Sequence, residues 1–389
     1  MVFHPQSHII LFESQLPVPG ILPPEEYVFF DIETTGFAPR SSHLYMIGAA
    51  RTEGDRFVLR QWLLNHPARE QELLSEFSGF IHGPAVLVHF NGQTFDIPYL
   101  KKKYSSFRME DPLEGKESID IYRLFTPFKK LLCLPSLRQK TLEQYFGIRR
   151  EDRYDGGELI EIYRKYVAGG YEELRSLLLL HNRKDIANLF SLYRSRLLSD
   201  LAEGNYKIAS VCLSDGFDNA SPRGAAADTT AGSAGTAQQF LTIRLKCGSC
   251  FPRPAVFSGD CAALSVREDN AVLSVRGLQD CMKHYFPDCK NYYYLPDEDT
   301  AIHKSVGIYV DPSRRVKADR AHSYIKKQGI FYPQPSCLIR PDFRLGGPDG
   351  DLYFELPPSW QEQGAEAVQD PLLKGYTDAV LKQLLLKSV

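Results

Sequence analysis

Apolar residues in the first half of the chain fall into two kinds of pattern. Tyr27 to Phe30, Leu44 to Ala50 and Phe57 to Leu64 are short apolar or alternating runs. Gly36, Pro39, Gly54 and Asp55 punctuate them, and this arrangement predicts three antiparallel strands in a meander. From about Pro67 to Ile81 the period changes: Leu73, Leu74, Phe77 and Phe80 recur three or four residues apart, as on one face of a helix. Ala85 to Phe90 is a solid apolar strand, Asn91-Gly92 a turn, and a further helix starts near Asp96. A strand near Ile119 to Tyr122 follows, then helices over Leu137 to Phe146, Leu159 to Val167 and about Tyr171 to Leu198. Three antiparallel strands leading into strand and helix alternation predict an α/β unit with a five-stranded sheet of mixed direction, flanked by helices.

Beyond that unit the pattern breaks. Residues 216 to 239 read GFDNASPRGAAADTTAGSAGTAQQ, too poor in apolar groups to offset the entropy of ordering, and predict a flexible linker. The expected organisation is an extended, proline-rich lead-in over 1–25, an α/β domain over 26–205, a linker over 206–239 and a separate α+β unit over 240–389. In that last unit Phe240 to Leu245 and Ala271 to Val275 alternate as strands do, and Asp370 to Leu386 reads as a closing helix.

Composition narrows the class. The chain has 389 residues, 43% of them apolar, enough for packed cores and against global disorder. The longest aliphatic run, Leu177 to Leu180, is far short of the ~20 residues of a membrane span, and the N-terminus lacks a signal-peptide pattern, so a cytoplasmic, membrane-free protein is expected. The 8 Cys are spread too thinly for a disulfide framework, and reduced thiols are the default. With 46 Lys+Arg against 48 Asp+Glu, the net charge of −2 gives no global attraction to polyanions. A nucleic-acid partner would need local basic patches or bridging metal ions.

Several acidic residues sit in apolar surroundings. In YVFFDIETTGF, Asp31 and Glu33 are two apart at a strand end, so period-two alternation puts both on one face. They are either solvated loop acids or a pair that something positive neutralises. Asp96 opens a helix six residues after a buried strand, either as a cap or at the strand-end edge where α/β sheets collect ligands. Leu178, His181, Asp185, Leu189 and Leu192 form one inward stripe of the last long helix. His181 and Asp185 could simply hydrogen-bond each other, while Asn182, Arg183 and Lys184 point elsewhere and read as solvated. Convergence of Asp31, Glu33, Asp96 and Asp185 would give hard oxygen ligands suited to a pair of Mg²⁺ or Mn²⁺ ions. Such a pair drives in-line phosphoryl displacement, with His181 placed to accept a proton from the attacking water.

FDIETTG, NGQTFD and HNRKD, in that order and in those contexts, resemble the three motifs of the DEDD (DnaQ-like) 3′-5′ exonucleases. The stretch from Tyr27 to about Leu198 is more specifically similar to the bacterial YprB-like group, with SIDIYRLF and KTLEQYFGIRREDRYDGGELIEIY as family-like text between the motifs. The resemblance implies a ribonuclease H-like fold and a two-metal nuclease acting on DNA or RNA, with Asp31, Glu33, Asp96 and Asp185 as metal ligands. His181 would orient or deprotonate water, Thr34, Thr35 and Gly36 would contact the terminal nucleotide, Phe37 would pack on a base, and Asn91 would be the polar residue of the second motif. One departure stands out: the main subgroups carry His five residues before the last Asp or Tyr four before it, whereas here His is four before. Alternatives are a structure-specific endonuclease with the same metals and an inactive nucleic-acid-binding scaffold.

Asp120 is a secondary acidic candidate. Lys101, Lys102, Lys103, Arg149 and Arg150 are either solvated or contacts to phosphates. In the C-terminal unit Cys247 and Cys250 form a CxxC without a second pair at the usual spacing, so zinc is not expected. NYYYL, SRRVKADR and KKQGIFYPQP could stack on and hold single strands, or could be packing and surface.

Overall fold

The computed structural model describes residues 9–18, 21–150, 154, 156–216, 239–361 and 365–386. The chain divides into two compact units, Met1–Arg196 and Leu197–Val389.

The first unit is built on a six-stranded sheet in the order β1-β4-β3-β2-β5-β6. Its strands are β1 (Ile9–Gln15), β2 (Tyr27–Thr34), β3 (Leu44–Glu53), β4 (Arg56–Leu64), β5 (Val86–His89) and β6 (Glu117–Asp120). β1 to β4 are joined antiparallel, whereas β5 runs parallel to β2 and β6 parallel to β5. The C-terminal ends of β2, β5 and β6 therefore meet at one edge of the sheet, beside the change from antiparallel to parallel neighbours, where open α/β sheets bind ligands.

The expected meander and mixed direction are present, and the lead-in is corrected. Residues 9–15 form a sixth strand, paired with β4 from Ile9↔Leu64 to Gln15↔Val58, and Leu16 is buried next to it. IILFESQ is a short alternating edge strand, and the prolines that follow disguise it as extended chain.

Two layers of helix cover the sheet. α1 (Glu70–Ile81) and α2 (Asp96–Ser106) lie on the face that takes Val28, Phe30 and Ile32 from β2. On the opposite face are α5 (Gly156–Gly169) and α6 (Glu172–Arg194), where Tyr163 stacks on Tyr45, and Phe190 and Tyr193 meet Phe29 edge-on. α3 (Ile121–Phe125) and α4 (Gln139–Tyr145) are short connectors after β6. The strand alternation thus assigns Phe29, Asp31 and Glu33 to the α6 face. The helix expected to reach Leu198 ends at Arg194, and α7 (Leu197–Glu203) begins the second unit, so the division falls after residue 196 rather than 205.

In the second unit β7 (Tyr206–Ser214), β8 (Phe240–Ser258) and β9 (Ala262–Arg276) form an antiparallel sheet. The start of the expected linker is therefore a strand paired with β8; residues 217–238 of that linker lie outside the described residues. β10 (Leu278–Tyr285), β14 (Tyr324–Pro333), β15 (Asp342–Arg344) and β16 (Leu352–Phe354) close a small barrel around Met282, Phe331, Phe343 and Tyr353. β11 (Tyr292–Leu295), β12 (Thr300–His303) and β13 (Val316–Lys317) form a second small sheet. Short helices α8 (Lys304–Gly307), α9 (Pro358–Gln361) and α10 (Ala365–Gln369) precede α11 (Pro371–Leu386), the closing helix the periodicity predicts. Among the described residues no helix is long and apolar enough to cross a membrane.

Candidate metal centre

Asp31 and Glu33 leave β2 toward α6, and α6 answers with His181 and Asp185 one turn apart. The His181 Nε2–H donates to Asp185 Oδ2 at 3.0 Å, and the same nitrogen lies 3.8 Å from Glu33 Oε1. Ligand atoms of Glu33, His181 and Asp185 all fall within 4.8 Å of one another, which makes them a group able to hold a cation. Asp96 opens α2 from the parallel side of the sheet, and its buried Oδ1 accepts the Ile32 N–H at 3.3 Å. Both acid motifs thus meet at the end of β2.

Asp31 is in register with Gly48 of β3, and Gly48 with Gln61 of β4. Asn182 of α6 sits over this row. Its Nδ2 donates to Asp31 Oδ2 at 3.3 Å, and its Oδ1 accepts from Gln61 Nε2 at 3.0 Å. Gly48 makes the room: a Cβ there would lie 2.0 Å from Asn182 Oδ1. Asn182 is fully buried, so its expected solvated position is corrected. The inward face of α6 is wider than the single stripe of leucines, as amphipathic faces generally are. Arg183 and Lys184 remain part-exposed.

Arg150 supplies the positive charge. Its Nη1 lies 2.7 Å from Asp185 Oδ1 and 3.2 Å from Glu143 Oε1, with only 10% of the side chain exposed. The expectation of a solvated or phosphate-contacting Arg150 is corrected to a mostly buried ion pair with the last motif's own carboxylate. Lys103 is corrected similarly: it is buried, pairs with Glu70 at 2.6 Å and donates to the Ser42 carbonyl. Lys101 and Lys102 are exposed, the former 3.7 Å from Asp111.

The acids are more crowded than the cations can neutralise. Burial, then the charges of Glu33, Asp185 and Asp96, push Asp31 well above the usual carboxylate range. Burial pushes Glu33 to about 7 against the pull of His181, and Asp96 to about 7 despite its backbone hydrogen bonds. Asp185 is the exception: burial pushes it upward, but the hydrogen bond and charge of His181 and the Arg150 pair hold it below its ordinary value. Burial works against the His181 imidazolium, yet Asp185 and Glu33 raise it. Carboxylates near neutrality in a partly dry cluster define a deficit of positive charge, and a donor set of carboxylate oxygens with one imidazole fits a hard divalent cation.

The remaining sequence candidates lie around this edge. Thr34 Oγ1 donates to the Gly36 carbonyl at 2.9 Å, and Thr35 Oγ1 accepts the His43 N–H at 2.8 Å, so both hydroxyls shape the loop after β2. Gly36 packs tightly over Ser42, whose Cβ would be 3.3 Å from a Cβ added at residue 36. Phe37 is 89% exposed, its ring touching only the edge of Phe95 among the described aromatic contacts. Asn91 adopts φ 57°, its N–H donates to Asp120 Oδ1 at 2.7 Å, and its side chain accepts from Thr94. Asp120 also caps α3 through the Tyr122 N–H and receives the Gln93 N–H, so its carboxylate organises the second-motif loop. Cys247 is buried in β8, its thiol pushed up to about 12 by burial.

Gln61, Gly48 and Glu143 join the site without having been candidates from the sequence, and Asn182 and Arg150 are buried where solvated positions were expected. Only Asn182 carried a local signal, a polar residue within the leucine-rich face of α6; the others act through partners far away in sequence.

A family model agrees with the architecture of the first unit. Residues 28–196 match the family model of the RNase_H superfamily. Together with the mixed sheet and its flanking helices, this makes the first unit a ribonuclease H-like domain, of a superfamily whose members are typically nucleases that use divalent metals. YprB of Bacillus subtilis (strain 168) is 29% identical over 171 residues, which cover 42% of this chain. The chain matches about 40% of the length of that relative. A family B DNA polymerase from the hyperthermophilic archaeon Pyrobaculum calidifontis aligns structurally over 48% of this chain and 27% of its own, at 18% identity and a TM-score of 0.37.

Proposed function

We propose that the first unit is a divalent-metal-dependent 3′-5′ exonuclease that hydrolyses phosphodiester bonds of DNA or RNA. The observation that carries this reading is the convergence of Asp31, Glu33, Asp96 and Asp185, from a strand end and two helices, with His181 among them. Asp31, Glu33, Asp96 and Asp185 would hold Mg²⁺ or Mn²⁺, which when bound supplies charge stabilisation for both the attacking and the leaving oxygen of an in-line displacement.

The chain's own residues set up the rest. Asn182, itself held by Gln61, orients Asp31 by a hydrogen bond rather than by an opposite charge. Arg150 and His181 hold Asp185 from its two oxygens. His181 holds its Nε2 proton toward Asp185 and Glu33, so that nitrogen can take a proton from water only after giving up this hydrogen bond. Phe37 presents an exposed ring beside the β2 loop, which suits stacking on a terminal base. Asn91, held in its left-handed turn by Asp120, borders the same edge.

The test is incubation of the purified protein with 5′-end-labelled single- and double-stranded DNA and RNA in Mn²⁺. A ladder shortening from the 3′ end is expected. Internal fragments from the outset would replace the reading with an endonuclease, and retention without products would replace it with a binding scaffold.

A further inference from the structure

The second unit contains a cavity of about 740 Å³ between the end of β10 and the segments that flank β15. Its wall carries the rings of His284, Tyr285 and Phe286, and its charged lining is three arginines, Arg320, Arg340 and Arg344, against one carboxylate, Asp342. We infer that this cavity is a binding site for single-stranded nucleic acid, its aromatic wall stacking on one or two bases and its arginines holding the adjoining phosphates.

Three observations support that ligand class. The first is the framing of the rings. Tyr292 stacks on Phe286 at 4.2 Å and an interplanar angle of 6°, Tyr324 meets Tyr285 edge-on at 5.3 Å, and the His284 Nδ1–H donates to the Asp342 carbonyl at 2.6 Å. The wall is therefore set before anything binds, which spares a ligand the entropy of ordering it.

The second is the state of the arginines. Arg340 is exposed and has no hydrogen bond or ion pair with any described residue. Arg320 pairs only with Asp349, and both side chains are more than two-thirds exposed, at 73% and 76%. Such a surface pair contributes little and exchanges readily for a phosphate. Arg344 is braced by the Gly350 carbonyl at 3.1 Å and stands 3.8 Å from Asp342. Two arginines at the rim are thus available, and one is anchored.

The third is a contrast with neighbouring basic residues, which have carboxylate or ring partners where Arg340 has none among the described residues. Arg314 pairs with Asp297 and Glu298, Lys326 with Asp299, Lys327 with Glu355, and Arg315 covers Tyr293. The volume lies within the range of small-ligand sites and accommodates a nucleotide or two. Stacking tolerates any base, so the site selects for unpaired strands without reading sequence.

This inference is independent of hydrolysis and is tested without it. Full-length protein in EDTA is titrated into a fluorescein-labelled oligothymidylate and followed by anisotropy between about 50 and about 200 mM salt. Arg340→Glu is the main variant, since its side chain supports no contact and its melting temperature should match the wild type. It should weaken binding roughly tenfold and lower the salt slope by about one phosphate contact. An abasic oligomer of the same length should bind more weakly than the thymidylate, and a 5-iodouracil strand should crosslink under ultraviolet light to the peptide carrying Tyr285 and Phe286. Equal binding by Arg340→Glu, with crosslinks confined to residues 28–196, would overturn the proposal. So would displacement of the strand by a nucleoside 5′-monophosphate at matching concentration, which would make the cavity a free-nucleotide site. Hydrolysis in Mn²⁺ without crosslinking here removes this proposal and leaves the exonuclease reading; crosslinking here without hydrolysis does the reverse.

Discussion

Asn182 donates to Asp31 from directly above Gly48, so one amide in the middle of α6 fixes a carboxylate at the end of β2. Gln61, on the next strand of the same register row, holds the other end of that amide. Sheet and helix are therefore joined by a polar row at the level where the acids converge, and the row depends on a missing side chain at residue 48.

Gly48→Ala follows as a test of that row. Its Cβ would overlap Asn182 Oδ1, and Asn182 is held on both sides, so the substitution should cost about 1–3 kcal/mol and lower turnover. Asn182→Ala should relieve the overlap at the price of both hydrogen bonds. In a double-mutant cycle by urea unfolding, the pair should be less destabilising than the sum by about 1 kcal/mol. Strict additivity would mean that Asn182 does not occupy the space over Gly48.

Arg150 and a bound cation compete for Asp185. Arg150→Gln should destabilise the metal-free protein by about 3 kcal/mol, because it takes the only close guanidinium among the described residues from two mostly buried carboxylates and leaves Asp185 to His181 and Glu143 to the Gln139 amide. The same change should tighten Mn²⁺ binding roughly tenfold, since a cation no longer faces the guanidinium. Calorimetric titration of Mn²⁺ reads this directly. Weaker Mn²⁺ binding by the variant would show instead that Arg150 holds Asp185 in its ligating pose.

Much of the site was legible in the sequence because its logic is local. Alternation in FFDIE puts Asp31 and Glu33 on one face, and the structure places that face toward α6, as Phe29 does beside them. The three-to-four spacing of Leu178, His181, Asp185 and Leu189 is likewise a property of one helix. Arg150 was hidden because IRREDR reads as a surface charge run; its burial depends on Glu143 and Asp185, which only tertiary structure brings near. Gly48 and Gln61 were invisible for the same reason. β1 and β7 were missed on different grounds: each is a strand whose pairing partner lies beyond a segment that reads as irregular, prolines for one and the Ala-Gly-Ser run for the other.

His89 gives the fold a pH dependence apart from the four converging acids. Burial lowers its imidazole to about 4 against the pull of Asp120, whose Oδ2 lies 3.8 Å from Nδ1. Its Nδ1 accepts the Gly92 N–H at 3.0 Å, and its Nε2–H donates to Ser118 at 2.7 Å, so a second ring proton would face a donor. The folded value lies below the unfolded value of about 6.5, so the unfolded chain binds the extra proton between the two. This contribution is complete above pH ~6.5 and is lost as pH falls toward 4, by about 3 kcal/mol in all. Urea unfolding of the wild type and His89→Gln at pH 7, 5.5 and 4.5 should show the gap between them closing as pH falls. A constant gap would contradict a neutral buried ring.

If the converging acids form a metal-dependent hydrolytic centre, Asp31→Asn should silence it without unfolding the domain. The substitution keeps the shape, removes a crowded charge and removes a proposed metal ligand. In EDTA the variant should melt at or above the wild-type temperature, because like-charge repulsion is relieved. In Mn²⁺ with a 3′-ended oligonucleotide it should release no product above background, while the wild type shortens the strand from the 3′ end. Undiminished turnover by a folded Asp31→Asn protein would mean that hydrolysis does not take place at these acids.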